Sequence, residues 1–138
     1  MQNTDSINKN FKSRLAIFSR SDIIKNIKNE YSNKSEMPID LTCHIGLMVT
    51  GSSLIRSSIH MAEINQSYHG VKGLDMETHG FYYAASHSKN SAPYFVSIKS
   101  VSDFGDDTNH KLNASLRKEY ALHTSSSALF HFIREYLK

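Results

Sequence analysis

The sequence predicts a layered α/β domain, and three observations carry that expectation. Residues 41–49, near-continuously apolar with β-branched members, read as a strand covered on both faces, and residues 94–101, with Phe95, Val96, Ile98 and Val101, read as a second strand. Segments with helical spacing alternate with them and end in a long amphipathic stretch. Small or acidic residues stand where the strands stop, the place where α/β folds commonly hold ligands. At 138 residues the chain fits one domain with a modest core.

Residues 1–14 are mostly Asn, Ser, Lys and Arg, with Met1, Ile7 and Phe11 the large apolar exceptions, and read as a poorly ordered polar lead-in to a domain over 15–138. Leu15 to Phe18 form a short apolar run with the look of a strand end. Ser21 and Asp22 then offer N-cap oxygens to a helix over 23–31, with Ile23, Ile24 and Ile27 on one side. Pro38 marks 33–40 as a loop. After the 41–49 strand comes the small-residue turn Thr50-Gly51-Ser52-Ser53. A short helix over 58–65 and a polar connection over 66–72 precede Gly73-Leu74-Asp75-Met76-Glu77, a strand running into a helix. That helix covers 77–88, with Phe81, Ala84 and Ala85 expected to pack inward. A turn over 90–93 leads to the 94–101 strand, and 104–112 reads as a Gly/Asp/Asn-rich loop. The last helix spans 113–137, with Leu116, Tyr120, His123, Ser127, Phe130, Ile133 and Leu137 at three- and four-residue steps.

Charge and cysteine usage narrow the function classes. The net charge of +3 comes from 16 basic and 13 acidic residues without a dense basic block, so nucleic acid is not an expected partner. Cys43 is the single cysteine; with Ile45, Leu47 and Met48 beside it, it reads as a buried small hydrophobe in a reducing compartment. No apolar run has the length of a membrane span, and no signal-peptide core is present, so a cytoplasmic location is expected. The eight histidines show no HxxxH or HxH pair, and no metal is expected. His123 and His131 read as packing or surface groups, and Tyr82, Tyr83 and Tyr94 as core.

Two carboxylates stand out by position. Glu77 opens a helix after one strand, and Asp103 ends another. If those strands were sheet neighbours, both would face one crevice. Cleaving an N-glycosidic bond needs such a pair, one carboxylate to hold the sugar hydroxyls and one acid to neutralise the departing base. Acidic residues at these places also serve simply as dipole partners and turn caps. Spacing alone leaves both readings open.

The wording of four segments adds to this. Gly73-Leu74-Asp75-Met76-Glu77 with Thr78-His79-Gly80-Phe81 resembles the (D/E)-M-E helix start of the nucleoside phosphorylase family, and of its methylthioadenosine/S-adenosylhomocysteine nucleosidases in particular. Val96-Ser97-Ile98-Lys99-Ser100-Val101-Ser102-Asp103 is similar to the family's V-x-x-(I/V)-S-D strand. Ile45 to Ile55 resembles its G-x-x-x-S-G-D-x-F-I segment, and Tyr120-Ala121 with 125–128 its terminal helix. The blocks occur in family order and spacing across about 15–137.

The resemblance implies a three-layer phosphorylase/hydrolase-like α/β fold, a mixed sheet flanked by helices, incomplete on its N-terminal side. It implies that Glu77 binds the ribose 2′- and 3′-hydroxyls, that Met76 packs against the sugar, and that Asp103 protonates purine N7. Ser102 would support Asp103 or the base edge. Leu54 and Ile55 would line the base pocket, Leu54 replacing the usual Phe and so removing a stacking ring. Lys99 would support the site where relatives carry Arg, and Ser52, in place of an Asp, receives no role. The implied activity is purine nucleoside or nucleotide cleavage, by water or with phosphate as co-substrate and no other cofactor.

The family's first half, with its Gly-rich turn toward phosphate or water, has no counterpart before Gly46. Three explanations stand open: a cut piece of a longer enzyme, one part of a split protein, or a remnant that binds nucleosides without chemistry. An uncovered sheet edge predicts homo-oligomerisation or a complementing N-terminal half. The rival function is a non-catalytic nucleoside-binding or assembly module.

Overall fold

A computed structural model of the chain describes residues 2–32, 40–88, 96–105 and 113–137. Its elements in order are α1 (Gln2–Ser19), α2 (Asp22–Glu30), β1 (Leu47–Thr50), α3 (Ser58–Ser67), β2 (Val71–Asp75), α4 (Thr78–His87) and α5 (Ala114–Tyr136). The protein is therefore broadly α/β, with one two-stranded parallel sheet among the described residues.

The first element corrects the sequence reading. Leu15 to Phe18 are no strand end but part of α1, which runs back through the polar lead-in to Gln2. Phe11, Leu15 and Phe18 are spaced four and three apart, so they share one helical face. That face meets α5. Phe132 takes the Phe11 ring edge-on at a centroid distance of 5.8 Å and the Phe18 ring at 5.4 Å. The Arg14 guanidinium donates to the Tyr136 carbonyl at 2.5 Å, fastening the two helices at the C-terminal end of α5.

Helix α2 forms where its caps and spacing predict. Ser21 stands at the N-cap, although its hydroxyl donates back to the Phe18 carbonyl at 2.8 Å rather than capping α2. Ile24 and Ile27 are buried against Phe18, Ala128 and Phe132, and Cys43 packs at the edge of this cluster. Tyr31 meets Tyr120 edge-on nearby at 5.1 Å. The described core thus lies between α1, α2 and α5. His123, whose ring lies 3.0 Å from the Ile27 carbonyl, and His131, 3.5 Å from Glu30, sit on its border.

Helix α5 begins at Asn113, whose side chain accepts from the Ser115 N–H at 2.8 Å. Its buried stripe is Tyr120, Thr124, Ala128 and Phe132. The expected stripe differs, since Phe130, Ile133 and Leu137 are exposed. The helix carries apolar residues on two sides, and periodicity cannot choose between them; contact with Phe18 and Ile27 does.

The strand regions depart further. Strand β1 is four residues long, and residues 41–46 carry no regular structure. It pairs with β2 in the register Leu47↔Val71 and then Met48↔Gly73 through Thr50↔Asp75. No residue of β1, β2 or α3 is buried, so the strand expected to be covered on both faces is only half-covered. The 94–101 strand does not form over its described part: residues 96–101 join no ladder. Side chains of helices partner this segment instead. The Ser97 N–H donates to the Tyr82 hydroxyl at 3.2 Å, and the Ser100 and Thr124 hydroxyls meet at 2.7 Å.

Helix α4 is held at its first turn, where Thr78 is its one buried residue. Phe81 and Ala84 are exposed and Ala85 half-buried, against the inward packing expected of them. Tyr82 and Tyr83 are likewise exposed rather than core, Tyr83 stacking on His87 at 4.1 Å. Tyr94, the 90–93 turn, the 33–39 loop and 106–112 lie outside the described residues. No described helix is long and apolar enough to cross a membrane.

Two neighbouring phenylalanines test this placement of the core. Phe132→Ala removes a fully buried ring and is expected to cost about 3–5 kcal/mol in urea unfolding. Phe130→Ala, at a 60% exposed position two residues away, is expected to change stability by about 0.5 kcal/mol or less.

Candidate functional site

Parallel strands end on the same side of a sheet, and here both ends carry polar groups. Strand β1 stops at Thr50 and turns through Gly51-Ser52-Ser53; β2 stops at Asp75 and passes through Met76 and Glu77 into α4. The ladder continues one step beyond the strands, with the Gly51 N–H donating to the Asp75 carbonyl at 3.0 Å. The turn and the helix start are therefore locked side by side.

Asp75 anchors this edge. Its side chain is 7% exposed, and one oxygen, Oδ2, accepts from the Thr78 N–H at 3.0 Å and from the Thr78 hydroxyl. Asp75 thus caps α4, whereas Glu77, in the N-cap position, makes no capping bond with its side chain. The Lys99 ammonium stands 3.1 Å from Asp75 Oδ2 and 3.4 Å from Glu77 Oε2, bridging the two carboxylates. The Thr78 and Ser97 hydroxyls lie 3.4 Å apart and extend the network to the 96–105 segment.

Burial on its own pushes the Asp75 carboxyl up. Hydrogen bonds from Thr78, Lys99 and Thr50, with the Lys99 charge, outweigh that and hold it below its ordinary value. Lys99 is pushed up by its hydrogen bond to Asp75, against burial, and further by the charges of Asp75 and Glu77. Burial pushes the Cys43 thiol up, which suits a packing residue better than a nucleophile.

Asp103 lies on the same segment, four residues beyond Lys99. It is exposed; Oδ2 accepts from the Ser102 hydroxyl and Oδ1 from the Gly105 N–H, both at 3.1 Å. Ser102 is itself held, its carbonyl accepting from Arg117 of α5 at 3.0 Å. Gly105 has φ +66°, a conformation that favours glycine, and its carbonyl accepts from the Ser57 N–H at 2.9 Å. That bond brings the Asp103 turn to the start of α3. There Leu54, exposed, and Ile55, half-buried, line an open groove of about 570 Å³ with Ser57, His60 and Ile64.

The structure thus gathers Glu77 and Lys99 with Asp75 at the sheet edge, and Ser102 and Asp103 beside the groove of Leu54 and Ile55. Met76 is half exposed between Asp75 and Glu77. Asp75, Thr78 and Ser97 are the members that sequence reasoning missed. The signal for the first two was present, as an acidic residue three before a Thr at a helix start is a capping pattern. Among the described residues no three His, Cys, Asp or Glu side chains cluster as metal ligands. Comparison with family models, curated proteins and solved structures finds no match to this chain.

The Asp75–Lys99 pair sets a pH dependence. A carboxyl lowered on folding stabilises above its unfolded pKa of about 3.9, and that contribution disappears as pH falls through the lowered folded value. A raised lysine stabilises below about pH 10.4 and loses its contribution as pH rises through the raised value. Melting temperature is therefore expected to be flat near neutrality and to fall on the acid side below about pH 4. Asp75→Asn should lower the neutral plateau and flatten that acid limb; an acid limb identical to wild type would refute the assignment.

Proposed function

We propose that this chain binds a purine nucleoside at the shared carboxyl edge of β1 and β2 and assists cleavage of its N-glycosidic bond. The finer architecture proposed with it is a three-layer phosphorylase-like sheet. The observation that carries the reading is the parallel register Thr50↔Asp75, which sets the Gly51–Ser53 turn against Asp75-Met76-Glu77. Those are two of the segments whose wording resembles the nucleoside phosphorylases.

In this reading Glu77, exposed and tethered by Lys99, accepts from the ribose 2′- and 3′-hydroxyls, and Met76 packs on the sugar. Leu54 and Ile55 flank the base in the groove that the Asp103 turn borders. Ser102 orients Asp103. As the C1′–N9 bond breaks, its electron pair leaves with the purine, a proton passes from Asp103 to N7, and the new bond to C1′ forms either to phosphate or to water, which gives up a proton to solvent. The base then departs neutral, which lowers the barrier. Phosphate enters only as co-substrate, and the setting is cytoplasmic. A second copy or a complementing N-terminal half would cover the apolar side chains exposed on α3 and α4, Ile59 and Phe81 among them.

A second reading, a nucleoside-binding module without chemistry, is favoured by one feature. Asp103 is exposed, and the Ser102 hydroxyl and the Gly105 N–H both donate to it, an arrangement that uses it as an acceptor.

Incubation with adenosine, methylthioadenosine, AMP and inosine, with and without phosphate, separates the two. Free base released by the wild type and lost in Asp103→Asn is the expected result. Binding without release would leave the module. Glu77→Ala is expected to weaken nucleoside binding by about 2 kcal/mol, roughly thirtyfold in Kd. Binding unchanged by Glu77→Ala would sink both readings.

A further inference from the structure

Asp75 has no role in the reading above, yet it is far more enclosed than its neighbour, its side chain 7% exposed against 74% for Glu77. Its oxygen Oδ2 is fixed from one side by the first turn of α4, through the Thr78 N–H and hydroxyl. From the other side it holds Lys99, whose ammonium also reaches Glu77 Oε2. Lys99 therefore sits between a fixed anion and a free one.

We infer that Asp75 is a positioning residue, setting the rotamer of Glu77 through Lys99 and so aiming the carboxylate that receives a hydroxylated ligand; this rests on the nucleoside-binding reading. An exposed Glu–Lys pair alone orders little, because both long side chains must give up rotamer freedom for a weak, water-screened attraction. Asp75 removes half of that cost in advance. It is immobilised by backbone and hydroxyl donors, so Lys99 is already ordered when Glu77 meets it. Lys99 engages Oε2, and Oε1 is left to accept from ligand hydroxyls. A ligand then meets one Glu77 orientation rather than several, and loses less entropy on binding.

Two measurements test this on the full chain. In the absence of ligand, three-bond NMR couplings across χ1 of Glu77 should report one rotamer in the wild type and averaging in Asp75→Asn and Lys99→Gln. Adenosine binding should weaken about tenfold in each variant, and neither should weaken it further in a Glu77→Gln background. A Glu77 that keeps one rotamer in both variants overturns the inference. So do losses that persist in full without Glu77, because those would arise from damage to the edge itself. Asp75→Asn also weakens the cap of α4; if it does not fold, Lys99→Gln, which leaves the Thr78–Asp75 bonds intact, decides alone. Wild-type chain that fails to bind adenosine would sink the nucleoside reading, while the couplings still decide whether Asp75 positions Glu77.

Discussion

A carboxylate is costly to enclose unless donors replace the water it gives up, and Asp75 meets that cost at Oδ2 by recruiting two separate pieces of chain. Thr78, three residues on, supplies an N–H and a hydroxyl, which starts α4 at that point. Lys99, twenty-four residues on, supplies the charge, which draws the 96–105 segment to the sheet edge although it joins no ladder. The Asp75 carbonyl also accepts from the Gly51 N–H, fixing the turn after β1. The site described here is organised around the Oδ2 oxygen of this one side chain. Removing a partner would leave a charge enclosed without compensation, which costs more than the pair contributes to stability when intact.

That constraint matters because, among the described residues, little else holds the sheet region. The fully enclosed apolar groups belong to α1, α2 and α5, with Phe132 and Ile27 at the centre. Strands β1 and β2 bury no side chain completely, and a two-stranded parallel pair is weak on its own. The two regions are linked through 96–105: Ile98 packs on the helical core, Ser100 meets Thr124, and Arg117 holds the Ser102 carbonyl. Local opening is therefore expected to begin at the sheet edge and not among the helices, which places the candidate site on the more mobile side of the molecule.

Much of this was legible in the sequence, and the exceptions have particular causes. Helix α2 announced itself by Ser21, Asp22 and the spacing of its isoleucines, α5 by its three- and four-residue apolar steps, and the end of β2 by Gly73 through Glu77. Helix α1 did not, because its Asn, Ser and Lys residues hide a three-residue apolar face that only Phe132 makes meaningful. Residues 96–101 read as a strand through Val96, Ile98 and Val101, but such a run says nothing about whether a neighbouring strand is present. The side of α5 that would be buried was undecidable, since Phe130 and Phe132 both qualify and face different ways. At the site, Glu77 and Asp103 stood out through their places relative to strand ends, while Lys99 and Ser102 came only from the resemblance to the nucleoside phosphorylases. Asp75 was overlooked because an acid beside Glu77 reads as part of the same motif, while its burial depends on a lysine distant in sequence.

The two carboxylates first singled out differ in how they are held. Glu77 takes its placement from Asp75 through Lys99, on the sheet side. Asp103 takes its placement from Ser102 and from Gly105, whose carbonyl is bonded to the start of α3, on the groove side. Lys99 and Asp103 nevertheless belong to one short segment, so the placements of Glu77 and Asp103 share a single mechanical support. A displacement of that segment would disturb both at once. A ligand gripping Glu77 and Asp103 together would instead clamp the segment against α3 and α4. The binding energy would then stabilise the weakest part of the fold, and the completeness of the site would depend on its occupant.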